Sequence, residues 1–238
     1  MSILLKLFTI MLNLSLLSFN ERAAFEGPFA DQAKYKLIAA SKLNLDKRVF
    51  DVVIASIVIV FVLIWFLPLV GVLIWLNSPG PVIFVQVRTG RNGRPFRCLK
   101  FRTMTYEPNA QFRQATRNDA RVTPVGRFLR KTNLDELPQV INVLLGEMSI
   151  VGPRPHPLQL DAQHWHTMIG YSDRYAMKPG ITGLAQVRGC RGETAELIQM
   201  QHRVRLDRFY IRKQTLWLDL KICWCTAISM LKGNERAC

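Results

Sequence analysis

The longest apolar stretch of the chain runs from Val52 to Leu76 and contains 25 residues without a charged side chain. As one continuous helix it would measure about 37 Å, against about 30 Å for the hydrocarbon core of a bilayer. Pro68 and Gly71 lie inside this stretch, and a proline removes one backbone donor from a helix. The pattern therefore predicts two helical pieces, neither of which is long enough to cross a bilayer by itself.

Basic residues flank this stretch on both sides. Lys47 and Arg48 precede it, and four arginines follow it, at positions 88, 91, 94 and 97. Because cationic flanks stay on the cytoplasmic side, residues 47–77 are predicted to form a re-entrant hairpin that enters and leaves the same leaflet. Asp51 is expected to be neutralised by Arg48 on the same helical face. We assign membrane anchoring to Lys47, Arg48, Asp51 and Pro68, with ordinary flanking cations as the alternative for the first two.

The first 46 residues predict a poorly ordered lead segment. An apolar run from Ile3 to Phe19 is broken by Lys6 and Asn13 and is followed by no clear small-residue cleavage site. A signal peptide is therefore not favoured. A segment loosely associated with the membrane, or a start codon placed too far upstream, remain the other interpretations.

Two short β-rich runs follow the apolar stretch, at 82–87 and 96–101, and Asn92-Gly93 between them is typical of a tight turn. This pattern predicts a β-hairpin. The second strand would carry Lys100 and Arg102 towards the later part of the chain, although solvated cations at a strand end are the alternative. Short strands beside longer helices predict an α+β fold that is mainly helical, with residues 78–238 forming a cytoplasmic domain.

Helical periodicity recurs over 125–131, 134–145 and 196–214. The segment 216–224 combines Trp217, Trp224 and several aliphatic residues with Lys221. Such a composition predicts an amphipathic helix in the headgroup region of the membrane, with a soluble core helix as the alternative.

The net charge of +15 indicates an anionic partner, which could be phospholipid, a phosphorylated substrate or nucleic acid. The arginines are dispersed and no nucleic-acid motif is present, so we expect no nucleic-acid partner. Five scattered cysteines argue against disulfides and suit a reducing compartment. The three histidines at 156, 164 and 166 do not have zinc-ligand spacing, which favours packing or surface roles.

Two adjacent carboxylates, Asp135 and Glu136, are the strongest candidates for chemistry. Asn133 is predicted to be the N-cap of a helix, with Glu136 completing a capping box. The alternative is a helix that starts at Asp135, with Pro138 at its third position; either way both carboxylates lie in the first turn. Consecutive helical side chains diverge by roughly 100°, so the two carboxylates should have separate roles. Stabilisation of the helix dipole is the alternative. With Arg130 and Arg154 near in sequence, the pair suits a phosphate site assisted by Mg²⁺, with Asp135 and Glu136 as the metal ligands.

Six stretches of the chain, occurring in the same order, resemble the monotopic phosphoglycosyl transferases, or bacterial sugar transferases. The resemblance extends from about residue 47 to the end and rests on Lys47-Arg48-Val49-Phe50-Asp51, Ser78-Pro79-Gly80-Pro81-Val82-Ile83-Phe84, Leu99-Lys100-Phe101-Arg102-Thr103-Met104, Leu134-Asp135-Glu136-Leu137-Pro138-Gln139, Gly152-Pro153-Arg154-Pro155 and Lys178-Pro179-Gly180-Ile181-Thr182-Gly183-Leu184.

The resemblance implies transfer of a sugar 1-phosphate from a UDP-sugar to undecaprenyl phosphate, with release of UMP, as the first step of exopolysaccharide or related glycan synthesis. Glucose is favoured and galactose comes next. It implies that Asp135 forms a covalent phosphosugar intermediate, and that Glu136 positions Mg²⁺ or activates the lipid phosphate. Substrate phosphates would be bound by Lys100, Arg102, Arg130, Arg154, Arg188 and Arg191.

The same resemblance implies a catalytic domain on the cytoplasmic face of the bacterial inner membrane, in contact with phospholipid. A homodimer is left open. The alternatives from other classes are a membrane-tethered basic binding protein and an assembly factor of a polysaccharide complex, neither of them catalytic.

Overall fold

The computed structural model of the chain describes residues 45–107, 115–116, 119–190 and 197–232. The predicted lead segment, residues 1–46, lies outside the described residues except for Leu45 and Asp46, which begin the first helix. Arg191 also lies outside them.

Helix α1 spans Leu45–Asn77 and is 33 residues long. It is α-helical over Leu45–Val58 and Ile64–Asn77, with a π-helical segment, Ile59–Leu63, between them. Pro68 lies inside the second α-helical part and does not end it, so the predicted interruption at Pro68 is wrong. Prolines and π-turns are both recognised causes of helix bending, and here they lie within ten residues of each other. The re-entrant course of α1 stays a prediction.

Among the described residues, α1 is the one helix that is long and apolar enough to cross a membrane. Only 22% of its most apolar window is buried inside the protein, whereas a core helix would be mostly covered. A narrow stripe packs against the rest of the molecule through Ala55, Leu63, Val70 and Ile74. The remaining surface exposes large apolar side chains, including Val53, Ile57, Phe61, Trp65, Leu69 and Trp75. Such a surface suits contact with lipid.

The predicted β-hairpin is confirmed. Strand β1 (Ile83–Thr89) pairs antiparallel with β2 (Pro95–Phe101). The connection turns through Asn92 and Gly93, which both have positive φ, at 57° and 74°. Phe101 at the end of β2 packs edge-on against Phe66 of α1, with ring centroids 6.1 Å apart. The hairpin is thereby joined to the apolar helix.

The segment around the acidic pair differs from its prediction. Helix α2 (Pro124–Thr132) begins at Thr123, whose hydroxyl accepts a hydrogen bond from the Gly126 amide at 3.0 Å. Asn133 ends α2: its backbone is in the left-handed conformation, with φ of 57°, and its backbone N–H donates to the Arg130 carbonyl. Its side chain makes no capping bond, so the predicted capping box is wrong. A 3-10 turn, Leu134–Glu136, follows, and only then does helix α3 begin.

The remaining elements complete a mainly helical α+β fold, as predicted. They are α3 (Gln139–Leu144), β3 (Ser149–Val151), α4 (Leu158–His164), a 3-10 turn (Ser172–Ala176), β4 (Gly180–Thr182), α5 (Leu184–Val187), α6 (Leu197–Lys213) and α7 (Leu216–Lys232). Strands β3 and β4 form a parallel pair that the sequence did not predict. Helices α6 and α7 confirm the two predicted helices near the C-terminus.

A buried ionic cluster joins the base of α1 to the rest of the protein. The Lys47 ammonium lies 2.7 Å from an Asp51 oxygen and 3.3 Å from an Asp219 oxygen of α7. Asp51 also accepts a hydrogen bond from the Ser149 hydroxyl of β3 at 3.0 Å, and Asp219 accepts one from Tyr210 of α6 at 2.6 Å. Together, Lys47, Asp51 and Asp219 thus link α1 to β3, α6 and α7.

Arg48 does not neutralise Asp51, which corrects the expectation from sequence. Its guanidinium donates to the carbonyls of Val143 and Leu144, at 2.6 and 2.9 Å. These carbonyls close α3, where a cation is favourable because of the partial negative charge at a helix C-terminus. Instead, Lys47, one helical turn before Asp51, forms the ion pair with the Asp51 carboxylate.

Replacing Lys47 by methionine should destabilise the protein, because two buried carboxylates would lose the cation between them. If the free energy of unfolding falls by about 3 kcal/mol, the Tm of a chain of this size falls by roughly 6–12 °C. Thermal unfolding in nanodiscs measures this effect. Lys221→Met, which removes an exposed lysine from α7, is the matched control; equal Tm values for the two variants would contradict the assigned role of Lys47.

Candidate active site

Asp135 and Glu136 lie in the 3-10 turn Leu134–Glu136, and both are almost fully buried, with exposures of 9% and 7%. The two side chains have different surroundings, as their adjacent positions predict. Glu136 is enclosed by cations, whereas within the described residues the Asp135 carboxylate accepts no hydrogen bond.

Glu136 is the acceptor for two cationic side chains. The Arg154 guanidinium donates to both carboxylate oxygens, at 2.5 and 2.9 Å, and the Lys100 ammonium donates to one of them at 2.5 Å. Burial by itself would raise the pKa of Glu136, but the charges and hydrogen bonds of Arg154 and Lys100 outweigh it and hold the pKa well below its usual range. Glu136 is therefore ionised.

Asp135 has the opposite behaviour. Burial raises the pKa of its carboxyl to about 6, since Lys100, the next largest influence, only partly offsets the desolvation, while the negative charge of Glu136 adds to it. A carboxylate that is buried and lacks hydrogen bonds is poorly stabilised as an anion. Asp135 is thus available to react or to bind a cation.

Lys100 reaches Glu136 because α3 is held against β2 by Asn142. The Asn142 amide accepts from the Leu99 backbone N–H at 3.1 Å and donates to the Arg97 carbonyl at 2.7 Å. The side chain pairs with the strand as a backbone would, which places Lys100 beside the turn that precedes α3. Sequence analysis missed this residue; its signal was an asparagine inside the aliphatic run Val140-Ile141-Asn142-Val143-Leu144.

Arg130 is brought close to the pair by the tight approach of α2 to the segment after β2. A Cβ at Gly126 would lie 2.0 Å from the Thr103 carbonyl oxygen, so only glycine fits at this position. One turn later, the Arg130 guanidinium donates to the Thr103 hydroxyl at 2.8 Å. Its charge acts on Asp135 and favours the ionised form.

The segment that carries Arg154 is supported by two residues that we did not predict as part of the site. Arg88 of β1 donates to the Pro155 carbonyl at 2.6 Å, and Arg174 donates to the Arg154 carbonyl at 2.8 Å. Arg88 was interpreted only as a flanking cation. The signal for Arg174 was an arginine placed between two tyrosines, Tyr171 and Tyr175.

Two predicted phosphate ligands, Arg102 and Arg188, are not in contact with the acidic pair. Arg102 is buried and donates to the carbonyls of Ser78 and Pro79, the latter at 2.6 Å, which fixes the end of α1 to β2. Arg188 is exposed immediately after α5. Arg191 lies outside the described residues. Phosphate binding by these three arginines stays a prediction.

The carboxylates were also predicted to hold Mg²⁺. Within the described part of the chain, no group of three or more histidine, cysteine or acidic side chains could bind a metal. The oxygens of Glu136 already accept from Lys100 and Arg154, which leaves Asp135 as the available carboxylate. Mg²⁺ typically uses one or two carboxylates together with substrate phosphates and water, so these residues fit an ion that the substrate helps to bind.

Residues 42–233 match the sequence profile of the bacterial sugar transferases. A relative from Escherichia coli is 49% identical over 184 residues, which are 77% of this chain and 39% of that protein. A relative from Klebsiella pneumoniae is 48% identical over 181 residues, which are 76% of this chain and 39% of that protein. A relative from Caulobacter vibrioides is 47% identical over 197 residues, which are 81% of this chain and 72% of that protein. All three are named UDP-glucose:undecaprenyl-phosphate glucose-1-phosphate transferase.

The chain therefore spans 39% of the length of two of these relatives and 72% of the third. The matched region includes α1, the hairpin, the acidic turn and the Arg154 segment, so it contains the whole site described above. The chain belongs to the bacterial sugar transferase family.

Proposed function

We propose that this protein transfers a sugar 1-phosphate from a UDP-sugar, with UDP-glucose favoured and UDP-galactose next, to undecaprenyl phosphate. The products are UMP and undecaprenyl-diphospho-sugar, which starts an exopolysaccharide or related glycan. The observation that carries this proposal is a buried carboxylate without a hydrogen bond, Asp135, beside a second carboxylate that holds two cations. The names of the three relatives support the same reaction and the preference for glucose.

In the first step, a carboxylate oxygen of Asp135 attacks the phosphorus that bears the sugar. A bond forms between that oxygen and the phosphorus, and the bond from the phosphorus to the bridging oxygen breaks, so UMP leaves with the electron pair. Lys100, Arg130 and Arg154 face the charge that develops on the phosphate oxygens. The cost of desolvating Asp135 makes it a stronger nucleophile than an exposed aspartate.

In the second step, an oxygen of undecaprenyl phosphate attacks the phosphorus of the aspartyl phosphosugar. The new diphosphate bond forms as the bond to Asp135 breaks, which returns the carboxylate to its starting state. Glu136 holds Lys100 and Arg154 in place through both steps, because it accepts hydrogen bonds from each. It also remains the candidate for activating the lipid phosphate.

Asp135, together with Glu136 if its cations shift, would hold Mg²⁺ when the substrate is bound. The ion would neutralise the negative charge of the diphosphate. Each Asp135 oxygen can have a separate role, because a carboxylate has two of them.

The lipid substrate requires a site at the membrane surface, and two helices support this placement. Helix α1 combines a π-turn with Pro68, which favours a bend and a re-entrant course on the cytoplasmic side of the bacterial inner membrane. Helix α7 exposes Trp217 and Trp224, at 66% and 70%, and tryptophans favour the headgroup region. A non-catalytic assembly protein would need the same anchoring but would not need a desolvated aspartate beside three cations.

Asp135→Asn should lower UMP release by at least about 1,000-fold, because the amide is not a nucleophile. Labelling of the protein by a radioactive sugar phosphate should disappear, while the protein still partitions into membranes. Asp46→Asn, which changes an exposed aspartate of α1, is the matched control and should keep full activity. A fully active Asp135→Asn protein would rule out the proposed nucleophile and favour a different mechanism.

Chelation should stop the reaction if a divalent cation binds with the substrate. We expect EDTA to abolish UMP release from purified protein, and added Mg²⁺ to restore it, with no change in Tm when substrate is absent. Turnover that continues in EDTA would show that the cations of the protein are sufficient for charge neutralisation.

The sugar can be identified with the full-length chain in membranes supplied with undecaprenyl phosphate and Mg²⁺. UMP release should be fastest with UDP-glucose, and slower with UDP-galactose and UDP-N-acetylgalactosamine. Equal rates for the three would contradict the expected preference, and no release with any of them would favour a non-catalytic role.

A further inference from the structure

The backbone of the segment Pro153–His156 is held in place mainly by hydrogen bonds to its carbonyl oxygens. Pro153 and Pro155 lack a backbone N–H and fix φ, so only Arg154 and His156 of this segment can donate backbone hydrogen bonds. The position of the segment therefore depends largely on donors that reach its carbonyl oxygens. Arg154 lies at its centre, and the direction of the Arg154 side chain depends on this backbone.

The carbonyls of all four residues accept a hydrogen bond. The backbone N–H groups of Gly180 and Thr89 donate to Pro153 and His156, at 2.9 and 3.3 Å. The two inner carbonyls, those of Arg154 and Pro155, accept from the side chains of Arg174 and Arg88, at 2.8 and 2.6 Å. The part of the segment that directs the Arg154 side chain is therefore held by two guanidinium groups.

Arg174 is itself rigidly held. It is 1% exposed, and its guanidinium donates to one oxygen of Asp207 of α6, at 2.8 and 3.2 Å. The rings of Tyr171 and Tyr175 lie 5.4 and 5.6 Å from its central carbon. A further nitrogen contacts the buried ring of His156 at 3.0 Å. A guanidinium fixed at this many points is a well-defined donor for the Arg154 carbonyl.

We propose that Arg174 and Arg88 are positioning residues, which hold the backbone at Arg154 so that its guanidinium meets both Glu136 and the substrate phosphate. This inference rests on the proposed function and adds two residues to it. Neither arginine contacts Asp135 or Glu136, so each acts through Arg154. Arg174 Nη2 donates to both Asp207 and the Arg154 carbonyl, while Nε donates a second bond to Asp207 that fixes the direction of the group. A lysine at 174 has a single nitrogen and lacks this planar fork.

The first test compares Arg174→Lys with Arg208→Lys in full-length protein in nanodiscs. Arg208 is also paired with an aspartate, Asp173, at 3.0 Å, but does not contact the Arg154 segment. We expect Arg174→Lys to lower kcat for UMP release by roughly 10-fold to 100-fold, with KM for the UDP-sugar changed less than about threefold. Arg208→Lys should match the unmodified protein. Unchanged kcat in a folded Arg174→Lys protein would overturn the proposal.

A double-mutant cycle separates positioning from a general structural role. If Arg174 acts through Arg154, adding Arg174→Lys to the Arg154→Lys protein should lower kcat by less than about a further twofold. The reason is that the guanidinium of Arg154, which Arg174 would position, is already absent. Losses that multiply would mean that Arg174 acts independently, and would overturn the proposal. Arg174 is buried, so Arg174→Lys could fail to fold. In that case Arg88→Gln gives the same test, because the Arg88 side chain is only half-buried. Arg88→Lys should be more active than Arg88→Gln.

A readout without turnover distinguishes failure of this inference from failure of the proposed function. Hydrogen exchange at the Arg154 and His156 amides should be faster in Arg174→Lys than in Arg208→Lys, whatever reaction the protein catalyses. If the unmodified protein releases no UMP, the proposed function fails, and the exchange rates alone decide the positioning role. Equal exchange in the two variants would overturn it.

Discussion

The paired charge of Glu136 is the constraint on which the site depends. A buried carboxylate is tolerated only when cations and hydrogen bonds replace the water that it has lost. Glu136 is paired with Lys100 from β2 and with Arg154 from the segment after β3, so two separate parts of the chain must converge on one turn. The same convergence places the cations beside Asp135. The stability of the fold and the electrostatics of the site are therefore set by the same contacts.

The secondary structure around the site is sparse, and side chains replace much of the missing backbone pairing. The described part of the chain holds two sheets of only two strands each. Asn142 pairs α3 with an edge of β2, and the side chains of Arg88 and Arg174 bind the carbonyls of Pro155 and Arg154. Arg48 closes α3 in the same manner. In each case a fixed polar group from a distant element satisfies a backbone atom, which gives a small domain a well-defined site.

Local patterns in the sequence predicted the apolar helix, the β-hairpin, the C-terminal helices and the acidic pair. These features depend on periodicity and on short turn signals, which one segment carries by itself. The capping box at Asn133 failed because the residue was needed to end α2 rather than to begin another helix. The break at Pro68 failed because a long helix can continue past a proline once its local geometry adjusts.

The partners of the charged residues were harder to predict. Arg48 and Lys47 are adjacent in sequence, yet one caps α3 and the other binds Asp51, and only the packing of α1 against distant elements decides between them. Arg102, just after β2, binds the carbonyls that follow α1, whereas Lys100, two residues earlier and on β2, binds Glu136. The contribution of Arg174 depends on α6, which lies more than twenty residues further along the chain.

The ionic cluster at the base of α1 fixes that helix relative to the rest of the protein. Strand β3 receives the contact from Asp51 at Ser149 and leads, within a few residues, to Arg154. A connection made of several buried charge contacts, unlike a hinge, resists rotation of the globular part about α1. The direction in which the acidic turn faces relative to α1 would then be set by contacts within the protein.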